Sequence, residues 1–304
     1  MEAYQSIFKR YEKKYLLTKE QYEGIRQYMD TIAEVDKYGQ TTIMNIYYDT
    51  PDWRLIRTSL EKPAYKEKLR LRTYGAADGE KEAFLELKKK YDGIVYKRRI
   101  SLPYRAATGF LAGGYAALEE KDVQIGKEIV WFLRYYKDIA PKMVISYERV
   151  AMAGKEDPDF RVTFDTGIRY RTDELDLTAG SFGKAVLPEG TVLMELKIAG
   201  AMPLALSRKM AELGIFGTSV SKYGCAYTKA YAEGELAVPW TMPKRAAQDM
   251  PAKTVRNAAA GTGRHVPESA DTDRRKRHRG RDLWDPEART AYPVLLGQAR
   301  RHAG

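Results

Sequence analysis

The stretch YKEKLRLRTYG, residues 65–75, decides the fold. At the period of two that a strand imposes, Lys66, Lys68, Arg70 and Arg72 share one face, and Leu69 and Leu71 point the other way. A solvated strand face usually mixes charge signs, but this one aligns cations. The pattern recurs outward from it. Residues 83–103, AFLELKKKYDGIVYKRRISLP, read as a hairpin around Asp92-Gly93, a favoured turn pair. Glu86, Lys88 and Lys90 there share a face opposite Leu85 and Leu87, and Lys97 and Arg99 lie opposite Ile100 and Leu102. Arg10, Glu12 and Lys14 line one face of FKRYEKKYLL. Tyr147 and Arg149 lie together in KMVISYERVAM, as do Arg161, Thr163 and Asp165 in FRVTFDTGIRYR. Glu195 and Lys197 face away from Val192, Met194, Leu196 and Ile198 in TVLMELKIAG.

One such strand ordinarily has a core face and a wet face and nothing more. Several together make a stronger demand, because the body of the chain is nearly neutral. Of the net charge of +11, residues 236–304 carry 14 Lys+Arg against 7 Asp+Glu, which leaves the first 235 residues only +4. Helices are expected from Thr18, where Gln21 completes a capping box, and near residues 53–60, 125–137, 203–214 and 221–234. Strands joined by short connections then predict an α+β fold, an antiparallel β-barrel with helices outside it. In a closed barrel the cationic faces converge. Each unpaired buried charge costs several kcal/mol, so the lumen needs a polyanion such as a run of phosphates. Arginine offers phosphate a two-pronged fork and lysine a compact charge.

Several chemistries are excluded or disfavoured. All three histidines (His265, His278, His302) follow residue 235, so the body has no imidazole base or ligand. The single cysteine, Cys225, allows no intrachain disulfide and reads as a packing residue. GFLAGGY, residues 109–115, lacks the Lys-Ser/Thr ending of a P-loop and reads as a loop and turn. No apolar run approaches the roughly 18 residues of a membrane helix, and the charged N-terminus lacks a signal-peptide core. These features imply a cytoplasmic setting. Glu12, Glu86, Asp165 and Glu195 remain as oxygen donors for Mg²⁺ or Mn²⁺, which often take only one or two carboxylates plus substrate phosphates. Cations, few carboxylates and no histidine suit phosphoryl transfer, where positioning and charge stabilisation carry the catalysis.

In order and at this spacing, RYEKKYLL, IYYDTPDW, KLRLRTYG, LELKKKYDGIVYKRRISL, SYERVA, RVTFDTGIRYR, MELKI and SKYG resemble the VTC-type polyphosphate polymerase domain, a branch of the triphosphate tunnel metalloenzymes. The likeness spans about residues 8–231. It implies a barrel tunnel that binds ATP, inorganic polyphosphate and a divalent metal, Mn²⁺ or Mg²⁺. By resemblance Lys14, Arg70, Arg72, Lys88, Lys97, Arg149, Arg161, Ser221 and Lys222 contact phosphates, Tyr147 lies near the nucleotide and Glu195 holds the metal. Lys197 joins them by alternation. Arg70, Arg72, Lys88, Lys97 and Glu195 form the expected catalytic set. Two positions depart from the family pattern: Arg10 stands where triphosphatase relatives have a first glutamate, and Ser219 where the eukaryotic polymerase has a further lysine.

The resemblance implies an ATP-dependent polyphosphate polymerase. The alternatives are a tunnel triphosphatase acting on tripolyphosphate or nucleoside triphosphates, and a non-catalytic polyanion-binding protein. The last rests on DRRKRHRGR, residues 273–281, in an Arg-, Ala-, Gly- and Pro-rich tail (residues 236–304) expected to be disordered. Such a run binds polyanions without specificity, and no nucleic-acid fold signature accompanies it in the body (residues 1–235). The resemblance also allows a membrane-protein partner, which would hold the chain at the inner face of the membrane.

Overall fold

The structure, a computed structural model, describes residues 11–236 apart from Gly93, Tyr115 and Pro158. Arg10, the Gly93 half of the expected turn, Tyr115 and the tail from residue 237 lie outside the described residues. The expectation of tail disorder falls there too.

The strands are β1 (Tyr11–Leu17), β2 (Ala33–Asp49), β3 (Tyr65–Tyr74), β4 (Glu82–Tyr91), β5 (Ile94–Pro103), β6 (Ala140–Gly154), β7 (Arg161–Arg171), β8 (Lys184–Ala185), β9 (Val192–Ile198) and β10 (Gly217–Thr218). The helices are α1 (Lys19–Ile32), α2 (Arg54–Leu60), α3 (Tyr104–Leu111), α4 (Val123–Tyr136), α5 (Leu204–Glu212) and α6 (Lys222–Ala232). All strands join one sheet in the order β10-β1-β9-β7-β6-β2-β3-β4-β5, with β8 beside β7, and every paired strand is antiparallel to its neighbour.

The expected closed barrel is not formed. β5 and β10 are both edges, and no backbone ladder joins them. Between α5 and α6 only Gly217 and Thr218 form a strand, and β10 meets β1 only at Lys14 and Tyr15. The sheet nevertheless curls. Lys88 on β4 lies in the field of Glu12 and Lys14 on β1, and Lys68 on β3 reaches Ser221 before α6.

Alternation sorts the side chains as the sequence predicts. The convex face of β2–β5 buries Leu69, Leu71, Leu85, Leu87 and Ile100 under α3 and α4. The convex face of β1, β7 and β9 buries Leu17, Val162, Met194 and Leu196 under α1 and α5. Thr18 and Gln21 form the expected capping box of α1.

Two expectations about helices are corrected. Gly109, Phe110 and Leu111 belong to α3 rather than to a loop, because Ala107, Phe110 and Leu111 present helical spacing to the core. And α6 does not lie outside the sheet. Its Tyr223, Ala226, Tyr227 and Ala230 pack on Ile43, Tyr47, Ile145 and Leu193, which share the concave face with Arg70 and Arg72 by register. That part of the face is apolar, and α6 has an apolar side to cover it.

Candidate active site

The concave face gathers the cations of β1 and β3–β7 with those of β9 and the start of α6. Three groupings differ in how their charge is balanced.

The first centres on Glu86. Cross-strand register sets Arg70 on one side of it and Arg99 on the other. Its carboxylate accepts from Arg70 Nε at 2.5 Å and from Arg99 Nε and Nη2 at 2.7 and 2.5 Å. Lys97 Nζ lies at 2.7 Å and Arg72 Nε at 3.9 Å. Burial alone would raise the Glu86 carboxyl, but Arg70, Arg72 and Lys97 outweigh it and hold it below the usual carboxylate range. Two tyrosines and an asparagine fix the forks. Arg70 Nη1 donates to the Tyr47 hydroxyl at 3.3 Å, and Tyr47 stacks on Tyr223 of α6 at 4.3 Å. Arg72 Nε donates to Asn45 Oδ1 at 2.9 Å and Nη2 to the Tyr147 hydroxyl at 3.4 Å.

The second joins β1, β6, β7, β9 and α6. Asp165 is fully buried and takes both prongs of Arg149, at 2.6 and 2.7 Å, and Lys222 Nζ at 2.5 Å. Glu195 lies 3.1 Å from Lys14, 3.3 Å from Lys222 and 3.7 Å from Arg149. Burial opposes the charge on Glu195, but Lys222, Lys14 and Arg149 hold its carboxyl well below the usual range. The Tyr147 ring lies 4.5 Å from Lys222 Nζ and 5.3 Å from Arg149. Arg161 and Lys197 oppose one another at the rim, and Glu12 opposes Lys197.

The third is made of lysines. Lys66 faces Lys90 and Lys68 faces Lys88 across β3 and β4, and Lys88 faces Lys97 across β4 and β5. Like charges directly opposed destabilise a sheet. No carboxylate of the described residues lies within 4.0 Å of Lys66, Lys68, Lys88 or Lys90. Lys68 Nζ instead donates to Ser221 Oγ at 3.2 Å, which also caps α6 by accepting from the Gly224 amide at 3.2 Å. Burial, with Lys66, Lys88 and Lys14 nearby, pushes the Lys68 ammonium down to about 7. Burial likewise lowers Lys88, against a partial pull from Glu12.

All the residues named from the sequence for phosphate contact therefore lie on the concave face or at its rim. Sequence reading passed over Arg99, Asn45 and Tyr47, and treated Glu86 and Asp165 as possible metal ligands rather than counter-charges. Alternation on β5 had already placed Arg99 beside Lys97. The roles of Asn45 and Tyr47 depend on which strand pairs with β3, which no local pattern gives.

For a divalent metal, the described residues contain no cluster of three or more His, Cys, Asp or Glu ligands. Glu12 and Glu195 do sit on either side of the Lys14 ammonium, at 3.4 and 3.1 Å. Two carboxylates converging on one cation, with hard oxygen donors, fit Mg²⁺ or Mn²⁺ when substrate phosphates complete the shell.

The chain thus presents a curled antiparallel sheet whose concave face is lined by cations and buried carboxylates. The chain belongs to the VTC domain family, whose model matches residues 9–231. Among solved structures it is similar to a candidate adenylate cyclase from Bacillus halodurans, at 14% identity and a TM-score of 0.42, covering 69% of this chain and 92% of that one. A second is a candidate adenylyl cyclase from Hippeastrum, described as having a dominant triphosphatase activity, at 12% identity and a TM-score of 0.44, covering 72% and 95%. A third is the Schizosaccharomyces pombe Mediator head module, at 12% identity and a TM-score of 0.32, covering 67% and 91%. No curated protein matches the chain. Among the described residues no helix is long and apolar enough to cross a membrane.

Proposed function

We propose that the protein is an ATP-dependent polyphosphate polymerase that transfers the γ-phosphate of ATP to the end of a polyphosphate chain. The observation that carries this reading is the charge imbalance of the concave face: Arg70, Arg72, Arg99 and Lys97 share the single carboxylate of Glu86, Asp165, Glu195 and Glu12 offset Lys14, Arg149 and Lys222, and beside them stands a rank of lysines with no carboxylate within 4.0 Å among the described residues. The two arginine-bearing groupings, with guanidinium forks held in place, suit a compact triphosphate. The lysine rank supplies the continuous positive field that a chain of phosphates needs along its length.

In the transfer, a terminal oxygen of the acceptor chain bonds to the γ-phosphorus, the bond to the β–γ bridging oxygen breaks, and ADP leaves. The acceptor oxygen is already ionised, so the lack of histidine among the described residues is no handicap. Arg70, Arg72 and Lys97 hold the reacting phosphates and screen their charge. Lys88 and Lys68 hold the acceptor. Lys14, Arg149, Arg161, Lys197, Ser221 and Lys222 bind along the other wall, and Tyr147 lies beside the nucleotide. Bound between Glu195 and Glu12, a divalent metal would supply charge neutralisation across the phosphates.

Incubating the purified chain with ATP and Mn²⁺ and resolving the products by electrophoresis tests the reading. A ladder of polyphosphate with matching ADP is expected. Orthophosphate as the sole phosphate product would overturn it in favour of a tunnel triphosphatase, and binding without turnover would leave a polyanion-binding protein.

A further inference from the structure

Thr163 carries a buried hydroxyl with nothing to bond. The residue is 8% exposed, and its Oγ1 has no hydrogen-bond partner among the described residues. A buried hydroxyl left unsatisfied destabilises a fold, and valine has nearly the same shape without it. The place of this hydroxyl is therefore informative. On β7, alternation sets Thr163 on the concave face with Arg161 and Asp165. Across the sheet it stands opposite Glu195 of β9 on one side and Ala151 of β6 on the other. Directly opposed side chains of an antiparallel pair are close enough to touch. The alanine methyl accepts no hydrogen bond, so Glu195 is the polar neighbour in register.

Glu195 has the complementary deficit. Both of its lysines bear on one oxygen: Oε1 lies 3.1 Å from Lys14 and 3.3 Å from Lys222. Oε2 meets Arg149 Nη2 at 3.7 Å, too far for a hydrogen bond. No other donor of the described residues bonds Oε2. The pull of two lysines on Oε1, from β1 and from α6, accounts for a donor and an acceptor standing side by side unbonded.

That balance changes if a divalent cation takes the place now held by Lys14 between Glu12 and Glu195. The Lys14 ammonium, 3.4 and 3.1 Å from these carboxylates, is repelled from there, and Lys222 with it. Substrate phosphates give both lysines a new counter-charge. Glu195 then loses its lysine contacts and is best held by a neutral donor, which does not repel the cation. Carboxylates that bind metals are themselves hydrogen-bonded, and that support sets their orientation.

We propose that Thr163 is a positioning residue for Glu195: its hydroxyl donates to Oε2 and leaves Oε1 to the metal. The inference rests on the reading of Glu195 as a metal ligand, and not on polymerase activity.

Calorimetry on the full chain compares the affinity for metal-free tripolyphosphate with that for its Mn²⁺ complex. Mn²⁺ is expected to tighten binding in the wild type. Thr163→Val should cut that metal-dependent gain by about tenfold or more and leave metal-free binding unchanged. Thr163→Ser, which restores the hydroxyl, should keep the gain. The valine variant should also raise the urea midpoint of the ligand-free chain, because it removes an unsatisfied group. Ser146→Ala is the control. Ser146 Oγ is likewise buried and unpartnered among the described residues, but it lies on the convex face opposite Met44. Its loss should leave the metal-dependent gain as it was, which separates losing a buried hydroxyl from losing this one. Glu195→Gln supplies the reference for the metal reading. If that variant loses the gain and Thr163→Val keeps it, the inference falls alone. If Glu195→Gln keeps the gain, or the wild type shows none, the metal reading falls and takes the inference with it. A lowered midpoint in Thr163→Val, failure to fold included, would mean that the hydroxyl already has a partner in the ligand-free chain, and overturns the inference by itself.

Discussion

At the scale of the residue, the buried carboxylates decide what the cations can do. Glu86 is 1% exposed and carries contacts from Arg70, Arg99 and Lys97. Glu86→Gln leaves buried cations uncompensated, and breaking a buried pair of this kind costs about 3–5 kcal/mol. Chemical denaturation should show that loss, and tripolyphosphate should restore part of it by replacing the missing charge. Glu195→Gln is expected to abolish metal-dependent turnover while the circular dichroism spectrum is unchanged; full activity would remove Glu195 from the metal site. Arg70→Ala should weaken nucleotide binding at least tenfold, and equal affinity by calorimetry would place Arg70 outside the phosphate site. Lys68 gives a pH prediction. Its folded value, about 7, lies below the ordinary lysine value. Between the two the unfolded chain binds a proton that the folded chain has released, so this group's contribution to stability rises with pH across that window. A bound polyanion reverses the shift and recharges the amine. Tripolyphosphate binding at pH 8 should therefore take up protons, read as a binding enthalpy that depends on buffer ionisation heat, and Lys68→Met should lose that dependence.

At the scale of the element, alternation made most of the site legible. Knowing only that Arg70 and Leu71 point opposite ways places the cations of β3, and the same reasoning places those of β4, β5, β7 and β9. Which cations acquire a counter-charge was not legible, because Arg70 meets Glu86 and Arg149 meets Asp165 through strand register. The position of α6 was hidden for a related reason. Its apolar side fits a convex or a concave surface equally well, and only the apolar cluster of Ile43, Ile145 and Leu193, assembled from three strands, settles it. Seating α6 there makes its first turn part of the site. Ser221→Ala removes the acceptor for the Gly224 amide and the partner of Lys68 together. The lost cap should lower stability by about 1 kcal/mol in urea denaturation, with a concurrent loss of phosphate affinity. An effect on stability alone would confine Ser221 to capping.

At the scale of the whole molecule, the charge is divided between a structured site and an arginine-rich tail. Leu236 is buried with α6 residues, and Glu235 accepts from the Tyr170 hydroxyl at 3.3 Å. A chain ended after Val238 keeps these contacts, whereas ending it after Ala232 removes them. The longer truncation product should retain activity on ATP and lose only low-salt retention on nucleic acid or heparin. If turnover is lost as well, the tail takes part in catalysis.

The curled sheet ends in two edges, β5 and β10, with no ladder of backbone hydrogen bonds between them. In a sealed tube, a long polyanion can enter or leave only by threading an end, so its passage time grows with its length. Between two unladdered edges, parting the rims breaks no backbone pairing. A strand of any length, or one whose ends are both tethered elsewhere, can then be laid in sideways and peeled out again.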